Sequence, residues 1–343
     1  MSDTPTALKP YIAKVTAGQV LSFEEAEDAF GLIMSGQATP AQLAAFLVAL
    51  KLRGEHVDEI TAAASVIRDK MIPVQAPAGA MDIVGTGGDG AHTLNISTAT
   101  AIVTAACGIP VAKHGNRAVS SRSGMTDVLS ALGLNIEAEV PVLERSLAET
   151  GLCFMQAPRH HLSFRHVGPV RQELGIRTIF NILGPLCNPA RVRRYLMGVY
   201  IPEWVEPLGH TLARLGCEKA WVVHGAGGLD ELSTLGPNRV AVVEGARVSV
   251  VEINPEDAGL PRATMDELKG GDSSYNASRL QLLLEGQRDA YRDIVLFGAA
   301  ASLLIAGKVQ DLREGVAVAA QAIDSGHAKA TLEASIRFSH ASP

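Results

Sequence analysis

The chain lacks the features that are typical of membrane proteins and of nucleic-acid-binding proteins. Among its 343 residues, 4% are aromatic, and 30 basic against 36 acidic side chains leave a net charge of −6. Surfaces that follow a phosphate backbone or stack on bases are basic and aromatic, so we expect no nucleic-acid partner. No uninterrupted apolar run reaches membrane-spanning length, so we expect no membrane association.

Cysteine is also scarce, at four residues, and no cysteine stands in a CxxC pair or at metal-ligand spacing from a histidine. We expect Cys107, Cys153, Cys187 and Cys217 to pack as small apolar side chains. Residues 1–15 contain no basic segment leading into an apolar stretch of the kind that directs export. These two absences together predict a cytoplasmic protein.

Hydrophobic residues make up 47% of the chain, enough for a substantial core, and the length predicts two domains. Residues from about 7 to 71 are predicted to be helical, with a capping box at Ser22 and a proline start at Thr39. From Asp82 onward, short apolar runs alternate with helical stretches, which predicts an α/β domain. The predicted segments are strands at residues 81–84, 109–112, 134–136, 220–223, 239–243 and 247–253, a loop at 255–271, and helices from Ala277.

The loop after the first predicted strand, Gly85-Thr86-Gly87-Gly88-Asp89, has the glycines that let a backbone approach an anion closely. It lacks the lysine of a P-loop and the glycine spacing of a dinucleotide-binding loop. A carboxylate among such amides indicates that Asp89 faces a ribose hydroxyl or a metal-bound water. A tight turn with a solvated aspartate is the simpler alternative.

Two further segments point to the same anion. Residues 95–98, Asn-Ile-Ser-Thr, precede a run of small residues, which predicts a helix capped by Asn95 or Ser97 with its N-terminus toward the loop. Residues 113–121, Lys-His-Gly-Asn-Arg-Ala-Val-Ser-Ser, follow another predicted strand and combine two cations, an amide and two hydroxyls. Because α/β proteins bind ligands at the carboxyl ends of strands, we expect a sugar phosphate here, with a solvated basic loop as the alternative.

In this order and spacing, the segments resemble those of the anthranilate phosphoribosyltransferase family. The resemblance runs from about Phe23 to Ile336 and includes Gly124-x-x-Asp127, the region of Arg171, residues 181–189 and residues 227–231. It implies transfer of phosphoribose from phosphoribosyl pyrophosphate to the amine of anthranilate, a magnesium-dependent step of tryptophan biosynthesis. An aromatic amine is neutral at pH 7, so we expect positioning and leaving-group stabilisation without a catalytic acid, base or covalent intermediate.

The resemblance also implies residues for each organic ligand. The phosphoribosyl pyrophosphate set is Gly85, Gly88, Asp89, Thr93, Asn95, Ile96, Ser97, Thr98, Lys113, His114, Gly115, Asn116, Arg117, Ala118, Val119, Ser120, Ser121 and Met125. The anthranilate set is Gly85, Asn116, Arg171, His114 and His161. The planar guanidinium of Arg171 suits a carboxylate, and a surface salt bridge to Glu173 or another acid is its alternative role.

For magnesium, the resemblance implies Ser97, Asp230 and Glu231. Adjacent carboxylates in a glycine-rich turn are hard oxygen ligands of the kind that Mg²⁺ takes together with substrate phosphates. The alternative is that Asp230 and Glu231 begin a helix, where acidic side chains interact favourably with the helix dipole.

The family fold is α/β, with a small all-helical domain and a larger α/β domain that has a mixed central sheet. We expect the helical domain to comprise residues 1–73 and about 163–186, and the α/β domain residues 74–162 and 187–343. The substrates would bind in the cleft between them. Family members are commonly homodimers through the helical domain, so we expect a homodimer here.

The sequence departs from the family pattern at two positions. Met125 replaces a serine that contacts the phosphoribosyl substrate, which removes a hydroxyl worth about 0.5–1.5 kcal/mol. Leu162 replaces a proline. Two other functions stay open on the sequence alone: a pyrimidine nucleoside phosphorylase, which needs no paired metal carboxylates, and a non-catalytic relative that binds nucleic acid.

Overall fold

The computed structural model describes residues 8–116 and 123–341. The first part is helical, as predicted, with α1 (Lys9–Thr16), α2 (Phe23–Met34), α3 (Pro40–Arg53) and α4 (Val57–Lys70). Both predicted helix starts are confirmed. Ser22 and Glu25 exchange side-chain and backbone hydrogen bonds in a capping box, and Pro40 is the first helical residue after the N-cap Thr39.

A seven-stranded mixed sheet forms the centre of the part of the chain that follows. The strands are β1 (Met81–Gly85), β2 (Val111–Gly115), β3 (Leu152–Gln156), β4 (Arg194–Gly198), β5 (Lys219–His224), β6 (Asn238–Glu244) and β7 (Arg247–Ile253). Their order is β3-β2-β1-β4-β5-β6-β7, parallel from β3 to β5 and antiparallel beyond. The strand order reverses between β1 and β4, which is where open α/β sheets bind ligands.

The strand predictions fail at three places. β3 and β4 were not predicted, because a run of four or five buried residues has no period that separates strand from helix. The strand predicted at residues 134–136 is wrong, because these residues connect two helices. There the backbone N–H of Asn135 donates to Ser339 Oγ at 2.9 Å, and the Asn135 side chain donates to the Ser339 carbonyl at 3.1 Å.

Helices cover both faces of the sheet. They are α5 (Ile96–Ala106), α6 (Met125–Ala131), α7 (Val140–Thr150), α8 (Ala157–His160), α9 (Gly168–Leu174), α10 (Phe180–Leu183), α11 (Val205–Arg214), α12 (Ser273–Leu284), α13 (Ala290–Ala306), α14 (Leu312–Asp324) and α15 (His327–Ser339). The long α13 packs closely on α5. If Gly298 of α13 had a Cβ atom, it would lie only 3.0 Å from the side chain of Thr100 on α5. α12 begins earlier than the predicted Ala277, because Asp272 caps it by accepting the N–H of Tyr275.

Residues 163–186 pack against the N-terminal helices. Phe30 of α2 contacts Phe180 of α10 edge-on, with 6.2 Å between ring centroids, and Phe180 contacts Phe164 at 5.6 Å. These contacts agree with a helical unit built from two parts of the chain, and its exact boundaries stay a prediction. Within residues 8–116 and 123–341, no helix has the length and apolarity needed to cross a membrane.

Candidate functional site

The site residues gather where parallel strands end. β1 and β4 pair so that their last residues, Gly85 and Gly198, are direct neighbours. A Cβ at Gly85 would overlap Asp230 Oδ2, and one at Gly198 would overlap the Asp230 carbonyl oxygen. Only glycine at both positions lets the Asp230 segment cross the strand ends. Gly198 was not predicted, because its need for glycine comes from a contact with a distant part of the chain.

The loop after β1 is fixed from several sides. The N–H of Thr86 donates to the Gly198 carbonyl at 3.0 Å, and the N–H of Gly87 donates to Asp230 Oδ2 at 2.6 Å. Asp89 Oδ1 accepts the N–H of Ala91 at 3.1 Å. Asp89 also lies close enough to Asp230 for its charge to raise the pKa of that carboxyl. Asp89 therefore belongs to an acidic cluster rather than to an isolated turn.

Asp230 and Glu231 form the centre of that cluster and do not begin a helix, so the helix-start alternative is wrong. Glu231 Oε1 accepts the N–H of Ser97 at 3.2 Å, which joins the pair to the first turn of α5. Burial raises the pKa of both carboxyls. The negative charge of Asp89 raises the pKa of Asp230 further, and the charge of Asp230 raises that of Glu231. Like charges buried together are unfavourable unless a cation offsets them.

The chemical type of these donor atoms suits magnesium. Two carboxylates and the nearby Ser97 provide hard oxygen atoms, and Mg²⁺ usually completes its shell with waters and substrate phosphates. In the described parts of the chain, no group of three acidic, histidine or cysteine side chains could hold a metal ion. The residues therefore fit a cation that is shared with a phosphorylated substrate, and not one enclosed by protein alone.

The first turn of α5 faces the acidic pair without the predicted side-chain cap. Asn95 is the N-cap residue, but it makes no capping hydrogen bond, and Ser97 lies inside the helix. The Asn95 side chain instead donates to the Ser123 carbonyl at 3.3 Å and accepts from Asn276 at 2.9 Å. The prediction of a side-chain cap is therefore wrong, because tertiary partners hold the asparagine.

Three other predicted ligands lie along this stretch. Thr93 forms a β-bridge with Lys269, which ties the approach to α5 to the loop before α12. The side chains of Ile96 and Thr98 are buried inside the domain. Neither residue presents an exposed side chain to a ligand, and the N–H of Ile96 donates to the Leu94 carbonyl at 2.8 Å.

Lys113 lies within β2 and not in a solvated loop. Its side chain is 2% exposed, and Nζ donates a hydrogen bond to the Ile83 carbonyl. Burial lowers the pKa of the ammonium, whereas the charges of Asp82, Glu231 and Asp230 oppose that shift. The solvated-loop alternative is wrong for this residue, and its cation lies buried among the carboxylates.

His114 and His161 form a buried pair with 3.2 Å between their Nε2 atoms. Burial, followed by the neighbouring His161, holds the pKa of His114 well below its usual value. Burial, followed by His160, lowers the pKa of His161 to about 4. Both rings are therefore neutral at pH 7.

Arg171 is connected to this pair through aromatic rings. Its Cζ lies 5.4 Å from the centre of the Phe180 ring, Phe180 contacts Phe164, and Phe164 lies 5.7 Å from His161. Among the described residues, Arg171 forms no ion pair, so the predicted alternative of a salt bridge to Glu173 is wrong; burial lowers the pKa of its guanidinium. The structure thus places one cation beside a neutral, aromatic surface.

The remaining predicted residues surround the end of β2. A Cβ at Gly115 would lie 2.6 Å from Met125 Sδ, and Met125 itself is 9% exposed. The Asn116 carbonyl accepts the N–H of Thr126 at 3.4 Å. Leu162 is exposed at the start of a short 3₁₀ helix. The predictions for Arg117, Ala118, Val119, Ser120 and Ser121 fall outside the described residues.

Arg177 was missed by the sequence reasoning. It donates a hydrogen bond from Nη2 to the Gly88 carbonyl, and its Cζ lies 4.3 Å from the centre of the Tyr200 ring. Nothing in the sequence distinguishes Arg177 from the other arginines, because both partners are remote along the chain.

Comparison with known proteins first defines the class. Residues 9–71 match the glycosyl transferase family, helical bundle domain, and residues 78–329 match the glycosyl transferase family, a/b domain. The chain is therefore a glycosyltransferase of the type that joins a helical bundle to an α/β domain, and the predicted fold class is confirmed.

Individual relatives define the family. The anthranilate phosphoribosyltransferase of Rhodospirillum rubrum is 59% identical over 97% of this chain and 96% of its own. The crystal structure of the Thermus thermophilus enzyme is 44% identical, with a TM-score of 0.92 over 96% of this chain and 99% of that one. The Saccharomyces cerevisiae enzyme in complex with PRPP and Mg is 28% identical, with a TM-score of 0.89 over 97% of each chain. The chain belongs to the anthranilate phosphoribosyltransferase family.

Proposed function

We propose that this chain transfers 5-phosphoribose from phosphoribosyl pyrophosphate to the amine of anthranilate, giving N-(5-phosphoribosyl)anthranilate and pyrophosphate in tryptophan biosynthesis. The observation that carries the proposal is the contact of Asp230 and Glu231 with both the glycine-rich loop and the first turn of α5. Loop amides and a helix N-terminus attract phosphate, and buried carboxylates beside them attract a divalent cation. The yeast relative with PRPP and Mg supports this assignment.

The chain's own residues supply binding and orientation. Backbone N–H groups of the loop and of α5 bind the diphosphate, on which negative charge grows as the bond to the ribose C1 breaks. Magnesium held by Ser97, Asp230 and Glu231 would supply positive charge to that leaving group. At the other end, Arg171 pairs with the anthranilate carboxylate. The neutral His114 and His161 add no competing cation and leave the amine lone pair free to attack.

We also propose a homodimer formed through the helical part, as the resemblance implies. Leu52 on α3 is 82% exposed, and Ile176 is also exposed, so apolar side chains are available on that part of the surface. A Leu52→Glu substitution should convert the dimer to a monomer in multi-angle light scattering.

We also infer a cytoplasmic enzyme with no nucleic-acid partner, supported by four unpaired cysteines and a net charge of −6.

The test follows the loss of anthranilate fluorescence with purified protein, phosphoribosyl pyrophosphate and magnesium. We expect turnover that EDTA abolishes and excess magnesium restores. The Arg171→Ala and Asp230→Ala/Glu231→Ala variants should weaken it at the two ends of the site. A well-folded protein without turnover would contradict the proposal, and phosphorolysis of pyrimidine nucleosides would then be assayed.

A further inference from the structure

Arg177 lies over the glycine-rich loop but belongs to the segment that packs with the N-terminal helices. Its guanidinium donates to the Gly88 carbonyl and stacks on the ring of Tyr200, with 4.3 Å from Cζ to the ring centre. Tyr200, which follows β4, also donates its own N–H to Thr86 Oγ1 at 3.1 Å. Arg177 and Tyr200 therefore hold the same loop at two points.

The hydrogen bond to Gly88 fixes a peptide plane. The peptide between Gly88 and Asp89 is trans, so its C=O and N–H point in opposite directions. A carbonyl held toward Arg177 therefore directs the N–H of Asp89 away from Arg177. Gly87, Gly88 and Gly90 have φ of +67°, +79° and +72°, where glycine meets little steric restraint. The local backbone alone does not determine this orientation.

The loop amides also differ in their partners. The N–H of Gly87 is bound by Asp230 Oδ2, and that of Thr86 by the Gly198 carbonyl. The N–H groups of Gly88, Asp89 and Gly90 donate to no other residue in the described ranges. They are the amides of this loop that can bind an anion, and that of Asp89 is the one whose direction Arg177 controls.

We infer that Arg177 is a positioning residue that orients the Gly88–Asp89 peptide toward the diphosphate of phosphoribosyl pyrophosphate, with the Tyr200 ring as its platform. This role rests on the proposed function, because the diphosphate is the ligand that the amide receives. The platform explains why an arginine suits the position. A planar guanidinium can stack and donate at once, whereas a lysine ammonium can only donate.

The experiment measures initial rates with each substrate varied separately. Arg177→Ala should raise KM for phosphoribosyl pyrophosphate about three- to tenfold, the range expected for one ordinary hydrogen bond, with kcat and KM for anthranilate within about twofold. Arg177→Lys and Tyr200→Leu should give intermediate values. Arg165→Ala removes another exposed arginine of the same segment and should change nothing. Calorimetric binding of inorganic pyrophosphate with magnesium should weaken in the same order.

Each outcome decides the inference. An active wild-type enzyme whose Arg177→Ala variant keeps its KM for phosphoribosyl pyrophosphate overturns it. So does an equal rise in both KM values with a lowered unfolding midpoint, which would indicate a purely structural role. A fall in kcat alone also overturns it, because the arginine would then act in the transition state. An inactive wild type would instead refute the proposed function, and pyrophosphate binding would still test Arg177.

Discussion

The two ends of the candidate site differ in the charge of their buried side chains. At one end, Asp230 and Glu231 lie side by side, and removal from water raises the pKa of each, with Asp89 raising that of Asp230 further and Asp230 raising that of Glu231 further. At the other end, burial holds His114 and His161 neutral, and the cation Arg171 is linked to them through the rings of Phe180 and Phe164. Lys113 offsets part of the negative charge at the first end, and a divalent cation would offset more of it. The second is complete as folded and suits a flat aromatic acid.

The largest effect should follow from removing charge at the acidic end. Asp230→Asn/Glu231→Gln should lower kcat/KM by a factor of about 1,000 or more, because the magnesium that we propose for the leaving group would lose its carboxylate ligands. Without magnesium at pH 8, the same variant should unfold at higher urea concentration than the wild type. Sites that store unfavourable charge for function are commonly stabilised when that charge is removed.

The sign of this stability gain depends on pH. A carboxyl whose folded pKa is raised destabilises the fold only above its unfolded pKa, so the gain at pH 8 should disappear near pH 4. The control is Glu27→Gln/Asp28→Asn, an adjacent acidic pair exposed on α2. A double variant at the site that is less stable than the wild type at pH 8 would contradict the comparison.

The next effect concerns the cation at the neutral end. Arg171→Ala should raise KM for anthranilate by about 30-fold or more, equivalent to roughly 2–5 kcal/mol for a desolvated charge pair. KM for phosphoribosyl pyrophosphate should stay within about twofold. Arg171→Lys should recover only part of the loss, because lysine lacks the planar fork. Equal changes in both KM values would show that the two ends are not independent.

The histidine pair predicts a smaller effect, on stability. The folded pKa of His161 is about 4, below its usual value of 6.5, so the unfolded chain binds more protons between these values. Stability is therefore lost as pH falls, by up to about 2 kcal/mol at pH 5 from this residue. Urea midpoints at pH 7 and pH 5 should show a weaker pH dependence in His161→Gln. An unchanged pH dependence would mean that His161 is not held neutral.

The smallest effect is expected at Met125. Met125→Ser restores the hydroxyl of the family pattern and should lower KM for phosphoribosyl pyrophosphate about two- to tenfold. It should also cost about 1–3 kcal/mol of unfolding free energy, because the thioether packs closely beside Gly115. Rate measurements and urea unfolding on the same preparation separate the two changes. Lost stability with no change in KM would assign Met125 to packing alone.

The sequence predicted those parts of the fold that local signals determine. The capping box at Ser22, the proline start at Thr39 and the valine-rich β7 each have a local cause, and all three are present. β3 and β4 were missed because four or five consecutive buried residues show no period. The false strand near Asn135 and the absent side-chain cap at Asn95 have one cause, which is that remote partners hold both asparagines.

The residues of the candidate site likewise fall into those that local motifs identify and those that depend on remote contacts. Motifs identified Gly85, Asp230 and Arg171, and the structure brings the first two into contact and places the third beside aromatic rings. Gly198 and Arg177 could not be predicted from the sequence. Their roles depend on contacts with Asp230 and Gly88, respectively, that no local pattern encodes. The burial of Lys113 could not be predicted either, since a lysine at a strand end usually reaches solvent.

The most direct test of the account is the unfolding midpoint as a function of magnesium concentration, at constant ionic strength, for the wild type and for Asp230→Asn/Glu231→Gln. A ligand that binds only the folded state raises stability with the logarithm of its concentration once above Kd. We expect magnesium with pyrophosphate to raise the midpoint of the wild type and to leave that of the variant unchanged. Equal rises in both proteins would show that the buried carboxylates do not hold the metal.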